Sequence, residues 1–274
     1  MQPPDSSPSD HTPIRVGILD SGVGGLSVLR EIRRLVPTVS LHYVGDSAWC
    51  PYGNKPAERI QARVTTIAEH LIEAGADLLV VACNSATIHA VELLRSAFPL
   101  PIVGMEPGVK PAASATRSGV VGILATEASF AGEKFHRLVD SHARGVRVIT
   151  RPCPRFVELV EAGILDGPEA DDAIDEAVGP LLREGTDVVV LGCTHYPFLR
   201  SAIARRIPDG TILIDTGPAV ARRVRDLLPS PFPEKDPLEE AELLIETSGD
   251  LNHLSRLLPL LLPDLHPQTR PFPR

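Results

Sequence analysis

The chain has no CxxC pair, no run of basic residues, no apolar stretch of membrane-spanning length and only four lysines among its 274 residues. Each absence removes a class of function. Cys50, Cys83, Cys153 and Cys193 lie far apart, which argues against a structural zinc knuckle, a dithiol redox couple and a disulfide framework. Phosphate binding is driven by clustered Lys and Arg; without such clusters, and with a formal net charge of -8, nucleic acid is not expected as the main ligand. Lys55, Lys110, Lys134 and Lys235 do not lie in a motif typical of a pyridoxal phosphate Schiff base. The opening MQPPDSSPSDHTP has neither a cationic start nor an apolar stretch, so it does not read as a secretory signal. A cytoplasmic protein without membrane association is expected, with disordered termini over 1–13 and 264–274.

What is present is a 43% hydrophobic chain in which short apolar runs alternate with segments of helical period. That is the pattern of parallel sheets with covering helices. Strands are expected at Ile14 to Leu19, Ser40 to Gly45, Leu78 to Ala82, Pro101 to Gly104, Val120 to Leu124, Val146 to Thr150, Val188 to Gly192, Thr211 to Asp215 and Glu242 to Thr247. LSVLREIRRLV, AERIQARVTTIAEHLIEAG and PEADDAIDEAVGPLLREG read as amphipathic helices, and DLNHLSRLLPLL as a last one. The prolines of LLPSPFPEKDPLEE suggest a surface loop, and those of DLHPQTRPFPR a frayed end.

One feature repeats. GADLLVVACNSAT, from Gly75, matches GTDVVVLGCTHYP, from Gly185, so that Gly75, Asp77, Val80 and Cys83 answer Gly185, Asp187, Val190 and Cys193. VGILDS at Val16 answers VGILAT at Val121, and IVGMEPGV at Ile102 loosely answers LIDTGPAV at Leu213. Three matches in one order imply an internal duplication. The expected fold is therefore α/β, with two pseudo-symmetric parallel-sheet domains. The first covers 14–104 and 215–263 and carries Cys83; the second covers 105–214 and carries Cys193. Ligands of open parallel sheets sit beyond the carboxyl ends of strands. A pseudo-twofold axis would bring both cysteines to one cleft between the domains.

DSGVGGLS after the first strand resembles an anion-binding turn, but Gly22, Gly24 and Gly25 do not have GxGxxG spacing and no P-loop lysine follows. A carboxylate or amino-acid ligand fits better. Asp20 and Ser21 are alternatively local caps of the following helix. CNS and CTH each end a strand and are expected to open a helix, whose dipole would favour the thiolate. His195 is a candidate for orienting or protonating a group at the same edge; a buried structural histidine is the plainer alternative. A Cys-His hydrolase needs one cysteine and leaves the other unused, and a zinc site on these residues has too few ligands.

DSGVGGLSVL, YVGDSAWCPYGNK, VVACNSAT, CPRFVELVEAG and VLGCTHYPFL, in this order from Asp20 to Leu199, together resemble the aspartate/glutamate racemase superfamily and, within it, the glutamate racemases. The resemblance runs from Ile14 to about Leu262. It departs at Ser129, Gly132 and Phe135, where Thr, Ser and Tyr are usual, and at Ser85, where Thr is. It implies cofactor-independent racemisation of L- and D-glutamate for peptidoglycan, with neither metal nor cofactor and commonly as a homodimer. Cys83 would take the proton from the D-isomer, assisted by Asp20. Cys193 would take it from the L-isomer, assisted by His195 and Glu161, with Asp46 in the same assisting group. Without the resemblance, Glu161 reads as an exposed carboxylate at a helix end. Asp20, Ser21, Asn84, Ser85 and Thr194 would hold the α-ammonium and α-carboxylate, the amides of Tyr52 and Gly53 would take the side-chain carboxylate, and Ser129 and His195 would also contact substrate. Cys50 reads as a bystander. An aspartate or other amino-acid racemase of the same superfamily and a catalytically silent regulatory binding protein are the alternatives.

Overall fold

A computed structural model describes residues 14–131, 133–229 and 241–273. The arm 1–13, Gly132 and most of the proline-rich stretch after Leu227 lie outside the described residues. The strands are β1 (Arg15–Asp20), β2 (Ser40–Gly45), β3 (Leu78–Val81), β4 (Ile102–Gly104), β5 (Val120–Ala125), β6 (Arg147–Pro152), β7 (Val188–Leu191), β8 (Ile212–Asp215), β9 (Leu243–Thr247) and β10 (Gln268–Pro271). They form two sheets, ordered β10-β9-β2-β1-β3-β4 and β6-β5-β7-β8. All pairings are parallel. The four-strand order β2-β1-β3-β4 of the first sheet recurs as β6-β5-β7-β8 in the second, which is the order a duplicated unit produces. Fully buried β3 and β7 occupy equivalent inner positions, and each runs out at a cysteine. Such strands read as unbroken apolar runs because helices cover both faces.

The Gly-x-Asp that precedes each of these strands has a structural cause. Gly75 and Gly185 have φ of 87° and 81°, the left-handed conformation that ends a helix without a Cβ penalty. Two residues on, Asp77 accepts a hydrogen bond from the Arg15 amide at 2.9 Å. Asp187 accepts from the amides of Arg117 at 2.7 Å and Ser118 at 2.9 Å. In both halves the aspartate ties the entry of the inner strand to that of its neighbour.

The amphipathic segments form helices at Leu26–Leu35, Ala57–Glu73 and Pro168–Arg183, and the last at Leu251–Leu261. The first buries Leu26, Val28, Leu29 and Ile32 and packs against the helix Gly217–Leu227. Full burial of each such side chain stabilises by about 1.5–3 kcal/mol. The described residues contain no helix long and apolar enough to cross a membrane.

The tail expected to be frayed is instead ordered through residue 273. β10 pairs with β9, Gln268 opposite Leu244, and Phe272 is 4% exposed. Phe272 supplies the apolar anchor, and an edge strand tolerates the prolines around it.

Candidate active site

The thiols end equivalent strands but stand in unlike surroundings. Cys83 caps the helix Asn84–Ala97, its sulfur accepting from the Ala86 amide at 3.5 Å, and it lies 3.7 Å from the Ser21 hydroxyl. Cys193 does not open an α-helix, contrary to expectation. It leads into a 3-10 turn at Tyr196–Leu199, and its sulfur lies 3.7 Å from His195 Nδ1. The expected thiolate at Cys83 is also overturned. Burial first, and then the negative charge of Asp20, push its thiol up to about 12, despite the Ala86 amide. Charge on Cys193 acts in the same direction at Cys83, so Cys83 senses the charge of the other thiol.

Asp20 is fully buried. Its Oδ2 accepts from the amides of Gly22 at 3.1 Å and Gly25 at 3.0 Å, and its Oδ1 from Thr194 Oγ1 of the second domain at 3.5 Å. Burial raises its pKa, and the charge of His195 and the two amides offset part of that rise. The glycine turn thus surrounds its own aspartate, and its missing Cβ atoms admit the opposite domain. A Cβ on Gly24 would fall 2.6 Å from Thr194 Oγ1 and His195 Cε1. A Cβ on Gly22 would overlap Glu161.

Opposite this turn runs a buried relay. His195 Nε2 meets Glu161 Oε1 at 2.7 Å, and that oxygen also accepts from the Val23 amide at 2.9 Å and the Cys50 thiol at 3.5 Å. Burial alone would depress the His195 pKa; hydrogen bonds to Cys193, Cys50 and Glu161 instead hold it well above the ordinary value. Glu161 is displaced the other way: burial opposes ionisation, but His195 and the Val23 amide outweigh it and lower its pKa. Both shifts favour the charged forms. Glu161 is not the exposed helix-end carboxylate its local sequence suggests.

A cavity of about 540 Å³ opens beside this relay, lined among others by Cys50, Gly53, Asn54, Thr126 and Glu161. Neither Cys83 nor Cys193 is among its lining residues; both are buried, 6% and 9% exposed. Gly53 bridges rim and interior, since a Cβ there would stand 3.2 Å from Thr126 Cβ and 3.6 Å from Ser85 Oγ. Ser85, Thr126 and Ser129 form a hydroxyl chain with steps of 3.4 and 2.9 Å. Asn84 is 5% exposed, and neither its Nδ2 nor its Oδ1 has a partner among the described residues. A buried amide without partners is rare and costly, and this one sits next to Cys83.

The Asp/Glu/Hydantoin racemase family matches residues 16–224. The chain belongs to that family. As a racemase it is an isomerase. It is 53% identical over 249 residues to a glutamate racemase of Ectopseudomonas mendocina, covering 90% of this chain and 94% of the relative. With that of Herpetosiphon aurantiacus the identity is 47%, over 88% and 95%. The Escherichia coli glutamate racemase, solved with L-glutamate and the activator UDP-MurNAc-Ala, superposes with a TM-score of 0.84 at 34% identity, covering 95% and 98%. That of Thermus thermophilus, with β-chloro-D-alanine, gives 0.78 at 32% over 94% and 96%.

Within this family frame two expected residues stand differently from the sequence reading, and some were missed. Asp46 touches neither thiol. Its carboxylate accepts from Tyr52 at 2.6 Å, from Arg63 at 2.6 and 3.0 Å, and from Ser248 at 2.7 Å. It thereby fixes the turn Tyr52–Asn54 that carries the Tyr52 and Gly53 amides. Cys50, taken as a bystander, contacts Glu161. Thr126 and Arg63 were missed; Thr126 is the counterpart of Ser21 in the duplicated first strands, which was the available signal.

Proposed function

We propose that the chain interconverts L- and D-glutamate without a cofactor, Cys83 and Cys193 serving as alternate base and acid on opposite faces of the α-carbon. The observation that carries this reading is the pair of buried thiols at the ends of equivalent inner strands, electrostatically linked, in a chain half identical to named glutamate racemases. One base must lift the α-proton while an acid on the other face delivers a new one. A thiol held up to about 12 suits the acid part. An α-ammonium arriving beside Asp20 supplies positive charge that makes the Cys83 thiolate less costly when the same residue must act as base toward the D-isomer. Toward the L-isomer Cys193 is the base. The His195 imidazolium, fixed by Glu161, balances its charge or hands it a proton.

Asp20, Ser21, Asn84, Ser85 and Thr194 bind the ammonium and α-carboxylate, and the partnerless Asn84 amide supports that role. The amides of Tyr52 and Gly53, with Ser85, Thr126 and Ser129 behind them, take the distal carboxylate. A buried carboxylate without such donors would cost several kcal/mol. Asp46 acts as a positioning residue through Tyr52. The D-glutamate formed supplies peptidoglycan synthesis in the cytoplasm, and the enzyme works as a homodimer, which light scattering of the purified chain tests. The deciding experiment follows circular dichroism of L-glutamate, D-glutamate and L-aspartate with purified, dialysed protein and no added cofactor. Loss of signal from both glutamate enantiomers is expected; turnover of aspartate alone would overturn the substrate, and dependence on an added cofactor would overturn the mechanism.

A further inference from the structure

Away from the cleft, two imidazoles and a carboxylate converge under the C-terminal strand. His42 on β2, His70 on the helix Ala57–Glu73 and Glu246 on β9 place one ligand atom each within 4.8 Å of the others. His42 Nε2 stands 3.1 Å from Glu246 Oε2, and His70 Nε2 stands 2.5 Å from the same oxygen. His42 and Glu246 are 2% and 1% exposed, whereas the His70 side chain is 24% exposed. The His42 nitrogen faces the carboxylate without hydrogen-bond alignment and has no other partner among the described residues. A buried polar atom left over in this way points to a missing ligand.

We propose that His42, His70 and Glu246 bind a borderline divalent transition-metal ion, zinc being the one whose chemistry fits. Two imidazoles and one carboxylate, with a fourth position open to water, form a familiar zinc donor set. Tetrahedral ligands at zinc bond lengths stand about 3.3 Å apart. The His42 and Glu246 atoms are close to that separation. His70, on the half-open side, must withdraw from Glu246 by less than about 1 Å. Arg270 of β10 pairs with the other carboxylate oxygen, Oε1, and so leaves Oε2 to the metal. Ligating carboxylates are commonly held by such an outer hydrogen bond, but the guanidinium charge also opposes a cation and sets the affinity below that of an unopposed site. The ion would join β2, β9 and the helix beneath β10, where Phe272 packs edge-on to His70 at 5.0 Å. The site shares no residue with the racemase cleft, so it stands or falls independently of the catalytic reading.

The competing cluster is Cys50, Glu161 and His195, whose ligand atoms also lie within 4.8 Å but which belongs to the relay. Cobalt separates the two. The full chain is stripped with chelator and titrated with Co2+ in visible absorption, then with Zn2+ against a chromophoric chelator, with thermal melts alongside. One equivalent with visible cobalt bands, no sulfur-to-cobalt charge-transfer band, and a rise in Tm with zinc are expected. His70→Ala should weaken zinc by on the order of 100-fold or more and abolish the Tm rise. Arg270→Gln, at a half-exposed side chain, should tighten zinc several-fold by removing the opposing charge, and it tests the site even if His70→Ala fails to fold. A charge-transfer band lost in Cys50→Ser, zinc affinity unchanged in the variants that fold, or no stoichiometric binding would each overturn the proposal.

Discussion

Replacing Gly24 by alanine isolates the contact between the glycine turn and the His195–Glu161 pair. The new Cβ falls 2.6 Å from Thr194 Oγ1 and from His195 Cε1, whereas ordinary contacts begin at 3.4 Å. The imidazole must retreat by about 1 Å, a displacement of the size that costs on the order of 100-fold in rate. Its present position is defined on both sides, 3.7 Å from Cys193 and 2.7 Å from Glu161. Overpacking of this kind also costs about 1–3 kcal/mol of stability. The enantiomers of glutamate have equal free energy, so kcat/KM must fall equally in both directions, and only the separate kcat and KM values can differ. Gly210→Ala supplies the control. Its φ of 87° with nothing within 4 Å costs about 1–2 kcal/mol of backbone strain far from the cleft. Circular-dichroism progress curves from each enantiomer, with thermal melts of both variants, make the comparison. Gly24→Ala should lose kcat/KM by about two orders of magnitude while Gly210→Ala, similarly destabilised, keeps it. Wild-type turnover in Gly24→Ala, or equal losses in both variants, would refute the argument.

Cys83→Ser and Cys193→Ser should each lower racemisation by orders of magnitude, because a serine hydroxyl cannot supply the base at neutral pH. In D2O the first D-glutamate formed should be fully deuterated while residual L-glutamate stays protiated, and protium in that product would refute two opposed bases; Cys50→Ser keeps a donor toward Glu161 and should remain active, as should Cys153→Ser. Asp20→Asn should be inactive yet more stable at pH 7. The unfolded aspartate ionises at the ordinary aspartate value of about 3.9 and burial delays this in the fold, so the charged group costs stability above that pH and the penalty fades as pH falls; melts of the variant should show it removed. Glu161→Gln should shift the basic limb of the pH profile of kcat/KM downward. The raised His195 pKa adds stability that is complete below the unfolded histidine value of about 6.5 and is lost as pH rises through the folded value, and removing the carboxylate narrows that window.

The strands, the two thiols at strand ends and the two parallel-sheet α/β domains were legible because each is local or periodic. An unbroken apolar run bounded by Gly-x-Asp and Cys carries its own signal, and its second copy reports the symmetry. Even the Gly-x-Asp spacing has a local cause, a left-handed turn followed by a clamp on the neighbouring strand. The racemase motifs were equally local, so the family could be read from them.

What only the tertiary structure decided depends on residues far apart in sequence. Cys50 reaches Glu161 across 111 positions, and Ser248 reaches Asp46 across 202. No period or composition encodes such contacts, the first made between the two domains and the second when the chain returns to the first domain. The Cys83 environment is of the same kind. Its place at a helix start predicts a lowered thiol pKa, but burial and the enclosed charge of Asp20 reverse the sign. The final strand was lost in a proline-rich tail because its stability comes from Phe272 and from pairing with β9. Sequence thus set which groups stand at the strand ends; desolvation and docking set their charge states and partners.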